Sequence, residues 1–328
     1  MAIEIGLVNA DTSVKFGTTT IQSGYIGVNI FFGIEILILN LFPSAHHAYS
    51  LRKLRTAYTG ACLRIRRTTT TPTVTTTTVD LAFDSNNTIS LNSAITYVSG
   101  TVTLATNLGQ FCASVVNGYS NPDLVNTNQN IFVVTWFDQS GNVKNPTQAT
   151  AGNQPRLVNA GVLETSGGKT AVRFISASST RLTIADTTAN INNMSSYFVG
   201  AFLTTATTQV GYSLSIVNRF YLPSTNGVNT YAGYATNGFS MLLETVTTNR
   251  RLYELISPTN GSTTLAQGWL NGIPKATTSI VSGLIANITL GTAASSYYDG
   301  YIQEVIGWQT NVNRLEKEAN INAYWQVY

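Results

Sequence analysis

An all-β, antiparallel sandwich is the fold this chain of 328 residues predicts. Three observations carry the prediction. Threonine, asparagine and tyrosine are abundant while Lys, Glu and Ala do not dominate as they do in helical proteins; short apolar runs recur with strand-like patterning; and Asn-Gly and Gly-Gly pairs fall between them. With 43% hydrophobic and 10% charged residues the chain has enough apolar material for a sizeable core, which argues against disorder and coiled coil.

Residues 1–42 read as an N-terminal β arm, ending at Pro43. Lys15-Phe16-Gly17, Tyr25-Ile26-Gly27 and Phe31-Phe32-Gly33 form a weak repeat, each a pair closed by glycine, as successive short strands turning at glycines require. So short a segment cannot bury a core of its own. It is expected to pair with another chain or with the main domain, and Phe16, Gly17, Tyr25, Gly27, Phe32 and Gly33 are its candidate assembly residues.

Residues 43–328 are expected to form the sandwich. From His46 to Ala57 the apolar positions Ala48, Leu51 and Leu54 recur three apart, which predicts one amphipathic helix stopped at Thr59-Gly60. Leu63 and Ile65 then alternate with Arg64 and Arg66, a half-buried strand. The threonine tract of residues 68–78, broken by Pro72, predicts an edge strand or projecting hairpin. Further strands are expected at residues 131–137, 171–175, 197–203, 212–217, 239–244, 268–270, 285–290 and 300–308. Asn142, Ser166-Gly167-Gly168, Asn226-Gly227, Asn237-Gly238 and Asn271-Gly272 supply turns between them. Residues 313–324 predict a helix with Asn313 as N-cap, Glu316 reaching back, and Leu315, Ala319 and Ala323 on one side.

The formal net charge is +3, but six of the eighteen basic residues lie between Arg52 and Arg67, so the chain has no general basic field. Those six are expected to form a solvated or salt-bridging face rather than a nucleic-acid patch, because no aromatic platform accompanies them. Cys62 and Cys112 make no disulfide framework and are read as buried thiols. The opening MAIEIGLV shows no signal peptide, and the apolar run of residues 30–42 contains Glu35 and is too short for a membrane span.

An ordered series of motifs carries a resemblance. Ala48-Tyr49-Ser50-Leu51-Arg52, Tyr58-Thr59-Gly60 and Leu63-Arg64-Ile65-Arg66-Arg67 are followed by Trp136-Phe137-Asp138-Gln139-Ser140-Gly141-Asn142 and Thr147-Gln148-Ala149-Thr150. This resembles phage structural proteins related to the catalytic domain of fungal α-L-arabinofuranosidase B. Gly300-Tyr301-Ile302-Gln303-Glu304-Val305 and Trp269-Leu270-Asn271-Gly272 are similar to stretches of laminin-G-like or concanavalin A-like sandwiches. The resemblance implies a concanavalin A-like jelly roll carried on a virion, as a head fibre, capsid decoration or tail protein assembled in a bacterial cytoplasm. Implied partners are other virion proteins, further copies of the chain, three in number by symmetry, and a host or mucus polysaccharide; no nucleic acid or membrane partner is expected. The threonine tract departs from the family's short polar turn, and only Asp80-Leu81-Ala82-Phe83 recovers its pattern.

The resemblance would put a nucleophilic Glu on a strand well after Asp138, where a retaining glycosidase sets two carboxylates about 5 Å apart. Between Asp186 and Glu244 there is no Asp or Glu. The expectation is therefore of a chain that is not an enzyme. Asp138 is weighed as a lone acid against an Asx-turn acceptor, and the turn is favoured. Trp136, Asp138, Gln139 and Asn142 are the candidate glycan contacts, though of the aromatics Trp136 fits the core best. His46 and His47, adjacent on a helix, would point about 100° apart and are read as solvated or capping rather than metal ligands. With no Cys/His cluster, phosphate-binding glycine loop or Gly-x-Ser-x-Gly elbow, neither a metal nor a cofactor is expected.

Overall fold

The computed structural model describes residues 13–16, 19–22, 30–31, 34–69, 75–100, 105–113, 129–188, 193–205, 208–214, 220–234, 240–257, 266–278, 286–293 and 295–328. Within them the chain is an antiparallel β sandwich with few helices, as the sequence predicts. A thirteen-stranded sheet runs in the order Ile273–Thr278, Ala266–Leu270, Arg251–Ile256, Ser195–Phe202, Gly300–Trp308, Val172–Phe174, Arg156–Asn159, Ile131–Trp136, Leu63–Thr69, Thr75–Leu81, Ile95–Gly100. Val162–Leu163 and Ala45–Ser50 pair onto it from the side. A second, seven-stranded sheet runs Leu182–Ala185, Asn287–Leu290, Tyr212–Leu214, Phe220–Asn226, Asn229–Tyr234, Ser240–Thr245, with Thr208–Val210 beside Phe220–Asn226.

The second sheet covers one face of the strands Ser195–Phe202, Arg251–Ile256 and Ala266–Leu270. The C-terminal helix Arg314–Trp325 packs on the strand Ser195–Phe202. That strand therefore has neighbours at both edges and cover on its faces, and all eight of its residues are buried. Between the sheets Phe198, Phe202 and Tyr298 pack edge to face, the Phe198 and Phe202 centroids lying 6.0 and 5.1 Å from that of Tyr298. On the opposite face Tyr197 meets Trp308 edge-on at 5.5 Å. The Asn271-Gly272 turn joins its two strands with both residues at positive φ, the geometry that favours Asn-Gly in a two-residue hairpin.

Two expectations change. Residues 45–50 form a strand, not the start of a helix, and residues 51–57 are irregular. Every residue of that strand is buried, so the apolar spacing carried no period to read. The short helices are Ile38–Leu41 and Leu108–Cys112. The C-terminal helix starts where expected, but Asn313 makes no side-chain cap, and Leu315 and Ala323 are exposed. Its buried face carries the polar Lys317, Glu318 and Asn320 beside Ile321 and Trp325. The described ends of the threonine tract pair antiparallel, with Thr69 opposite Thr75. Cys62 and Cys112 are free and buried.

The strand pairs Ser13–Phe16 with Thr19–Gln22 and Ile30–Phe31 with Ile34–Glu35 are hairpins. Of the candidate assembly residues, Phe16 ends the first strand; its side chain, together with Gly17, Tyr25, Gly27, Phe32 and Gly33, lies outside the described residues. Residues 36–42 pack within their own chain: Leu37, Ile38 and Leu39 are buried, Leu39 N donates to Leu54 O, and Trp308 Nε1 donates to Phe42 O.

Candidate functional site

The loop after the strand Ile131–Trp136 holds the candidate glycan contacts, and its polar atoms are used inside the fold. Asp138 Oδ1 accepts from the backbone N of Ala48 at 2.8 Å and of Ser140 at 2.9 Å. Its Oδ2 accepts from Ser140 Oγ at 2.7 Å and Lys144 N at 3.1 Å. Gln139 Oε1 accepts from Leu54 N at 2.8 Å, while its Nε2 donates to Ser50 O and Arg52 O, each at 3.0 Å. Asn142 Nδ2 donates to Ala45 O at 2.9 Å and His46 O at 3.0 Å. Trp136 is fully buried, with its ring centroid 6.5 Å from that of Tyr49. The geometry corrects the glycan-contact reading of these four residues: only Asn142 is exposed, and the loop fastens residues 45–54 to the sheet.

His46 and His47 are buried, not solvated, because they lie on a strand under the second sheet. Their Nδ1 atoms are 2.9 Å apart, His46 Nε2 lies 3.1 Å from Asp186 Oδ2, and His47 Nε2 lies 2.7 Å from Tyr212 Oη. A proton on His46 Nε2, facing the carboxylate, leaves its Nδ1 to accept from His47 Nδ1–H and leaves His47 Nε2 to accept from Tyr212 O–H. Burial, then the Lys144 charge, pushes His46 down to about 4, so both rings are neutral at pH 7. Burial pushes Asp186 up, but hydrogen bonds from Lys144 and Thr188 outweigh it and hold the carboxyl below its usual range. Gly307 makes room for this stack, since a Cβ there would strike the His47 imidazole.

A different arrangement stands where the C-terminal helix crosses the sheet. Glu254 is fully buried, and its sheet neighbours are Tyr197 on one side and Trp269 on the other. Arg314 Nη1 lies 2.9 Å from Glu254 Oε2 and also contacts Glu318 Oε2, so two carboxylates grip one nitrogen. Tyr328 Oη donates to the other oxygen of Glu318. The Arg314 guanidinium lies over the half-buried Trp269 ring, 3.5 Å from its centroid. Burial, then the charge of Glu318, pushes Glu254 up to about 8 against the pull of Arg314, so at neutral pH it holds a proton. Glu254 Oε1 and Trp269 Nε1 are buried without a hydrogen-bond partner among the described residues.

Sequence reasoning missed this pair because it sought the second acid on a strand between Asp186 and Glu244. One acid comes from the next strand, Arg251–Ile256, and the other from the helix. A signal was present: Glu254 interrupts the run Leu252-Tyr253-Glu254-Leu255-Ile256, and a carboxylate in so apolar a strand is rarely buried without a partner. Among the described residues no group of His, Cys, Asp and Glu is arranged to hold a metal ion, and no helix is long and apolar enough to cross a membrane.

No protein-family model matches the chain, and no curated protein does. Among solved structures it is similar to a GH54 α-L-arabinofuranosidase soaked with a cyclic sulfate inhibitor, at 14% identity and a TM-score of 0.51, over 89% of this chain and 65% of that one. A mutant GH54 α-L-arabinofuranosidase soaked with 4-nitrophenyl α-L-arabinofuranoside matches at 15% identity and a TM-score of 0.50, again over 89% and 65%. A sialidase of Trypanosoma rangeli matches at 8% identity and a TM-score of 0.42, over 76% and 43%. The chain spans less than two thirds of the length of these arabinofuranosidases. The likeness shows the fold, a β sandwich of the kind found in carbohydrate-active proteins. It corrects the expectation of a chain that is not an enzyme, since this sandwich is one that glycoside hydrolases use. It gives no support to a virion role.

Proposed function

We infer that the chain is a carbohydrate-active domain that cleaves glycosidic bonds with Glu254 and Glu318. One observation carries the reading: the fully buried Glu254 shares one Arg314 nitrogen with a second carboxylate, Glu318, and burial beside that like charge pushes Glu254 upward in pKa. Two carboxylates held by one guanidinium nitrogen are near neighbours, as the two acids of a retaining glycosidase must be. Glu254 passes its proton to the glycosidic oxygen as the bond to the anomeric carbon breaks. The Glu318 carboxylate takes that carbon, and water then frees the sugar while its proton returns to Glu254. The Trp269 face now under Arg314 is the stacking surface for a sugar ring.

Purified chain incubated with nitrophenyl α-L-arabinofuranoside and other aryl glycosides checks this by release of nitrophenol. Turnover should fall at least about 100-fold in Glu254→Gln, the usual share of a general acid. Sugar binding without turnover, or turnover unchanged in that variant, removes the acid role of Glu254. Display on a phage particle through residues 1–42, in three copies, rests on the sequence resemblance; the mass of the full chain in solution by light scattering checks the copy number.

A further inference from the structure

We propose that the outer face of the large sheet is a second glycan site, one that holds an acidic polysaccharide strand bearing carboxylate groups. Cross-strand registers set Arg66 opposite Phe132, Phe132 opposite Arg156, Arg156 opposite Arg173, and Arg173 opposite Tyr301. All five are half-buried, on the face away from Ile65, Val133, Val172 and Ile302 of the core. Five neighbouring strands at about 4.8 Å each make a row about 19 Å long. The row reads Arg66, Phe132, Arg156, Arg173, Tyr301, with Arg66 lying 5.0 Å from the Phe132 centroid and Arg173 5.7 Å from that of Tyr301. A chain crossing the strands would meet flat rings at intervals, as sugar rings require, with charged forks between them.

The charge balance of the row selects its ligand. Arg156 pairs with Glu164 at 2.7 Å and Arg173 with Asp299 at 2.6 Å. Tyr301 Oη donates to the second oxygen of Glu164 at 3.0 Å. Arg66 has no carboxylate partner among the described residues. Its contacts are Gln154 Oε1 at 2.7 Å, Thr68 Oγ1 at 2.5 Å, Ala151 O at 3.3 Å and the Phe132 ring. Three arginines against two acids leave one uncompensated charge over the row. A nucleic-acid strand, with a charge at every nucleotide, needs several free cations over that length. A glycan with a carboxylate on some of its sugars needs one, and the planar fork of Arg66 fits a carboxylate. This site lies apart from the carboxylate pair and does not depend on its chemistry.

Isothermal titration of the full chain with polygalacturonate, neutral dextran, heparin and a single-stranded oligonucleotide tests the proposal. Polygalacturonate should bind, with log K falling on log salt at a slope near about −1, the mark of one ion pair. Binding should weaken about tenfold in Arg66→Gln, recover partly in Arg66→Lys, and persist in Glu254→Gln. Melting curves of the Arg66 variants confirm that the fold is kept, and Phe132→Ala, which leaves the charges alone, reads the ring contribution separately. Equal binding to dextran, tighter binding to heparin or the oligonucleotide with a steeper slope, or unchanged affinity in both Arg66→Gln and Phe132→Ala would overturn it.

Discussion

Asp138 and Glu254 are carboxylates at 4% and 0% exposure, and the chain treats them in opposite ways. Asp138 receives four donors, two on each oxygen, three of them backbone N–H groups of residues it must hold in place. Glu254 receives one, from an arginine it shares with another acid, and its second oxygen has no partner among the described residues. Burial pushes both upward in pKa, but at Asp138 the donors pull back, whereas at Glu254 the neighbouring Glu318 adds to the push. A buried acid whose acceptors are filled organises a loop. One left half-satisfied next to a like charge is poised to exchange a proton, and that contrast, more than burial itself, separates architecture from chemistry.

The comparison breaks most visibly at Asp138. Asp138→Ala strands the N–H groups of Ala48, Ser140 and Lys144 in the interior and is expected to cost about 4 kcal/mol in urea unfolding. A loss under about 1 kcal/mol would place the loop's stability elsewhere. Glu254→Gln keeps the shape of the protonated acid, so it should abolish hydrolysis while leaving the melting temperature at pH 5 near that of the parent. A folded-state value near 8, against an ordinary 4.5, means that the parent loses stability as pH rises between them. The variant lacks that loss and should be more stable than the parent at pH 8.5 by about 2 kcal/mol, a conservative fraction of ~1.4 kcal/mol per pK unit.

The histidines give the opposite slope. With His46 lowered from 6.5 to about 4, the unfolded chain binds the extra proton first, so stability falls as pH drops through that window. About 2 kcal/mol should be lost between pH 7 and 4.5, discounted for screening at the edge of the cluster, and His46→Gln should flatten the curve. The smallest effect belongs to Asn142, whose amide donates to two carbonyls near the surface. Asn142→Ala should cost about 1 kcal/mol by thermal melting.

Strand positions were legible at Trp269-Leu270-Asn271-Gly272 and along the strand Gly300–Trp308, whereas the strands Phe220–Asn226 and Asn229–Tyr234 were missed although Asn226-Gly227 stands between them. The Asx role of Asp138 was legible too, because a short acid followed by Ser-Gly is a local motif. Residues 46–50 were misread since periodicity says nothing once every side chain is buried. The polar underside of the C-terminal helix was hidden for a related reason. Glu318 and Lys317 look solvated in one dimension, and only the crossing over Glu254 and Trp308 shows otherwise. The carboxylate pair joins residues 64 apart in sequence, on elements of different type, and no local pattern reports such a meeting.

The strand Gly300–Trp308 lies in the middle of the large sheet, pairing with Ser195–Phe202 along one edge and with Val172–Phe174 and Ala45–Ser50 along the other. It is made after nearly all its neighbours. A growing chain therefore holds two separate half-sheets open until this keystone emerges from the ribosome, and assembly waits on contacts of the longest sequence range. Substitutions in it should act on yield and refolding speed, through time spent with unpaired edges, before they touch any binding or turnover.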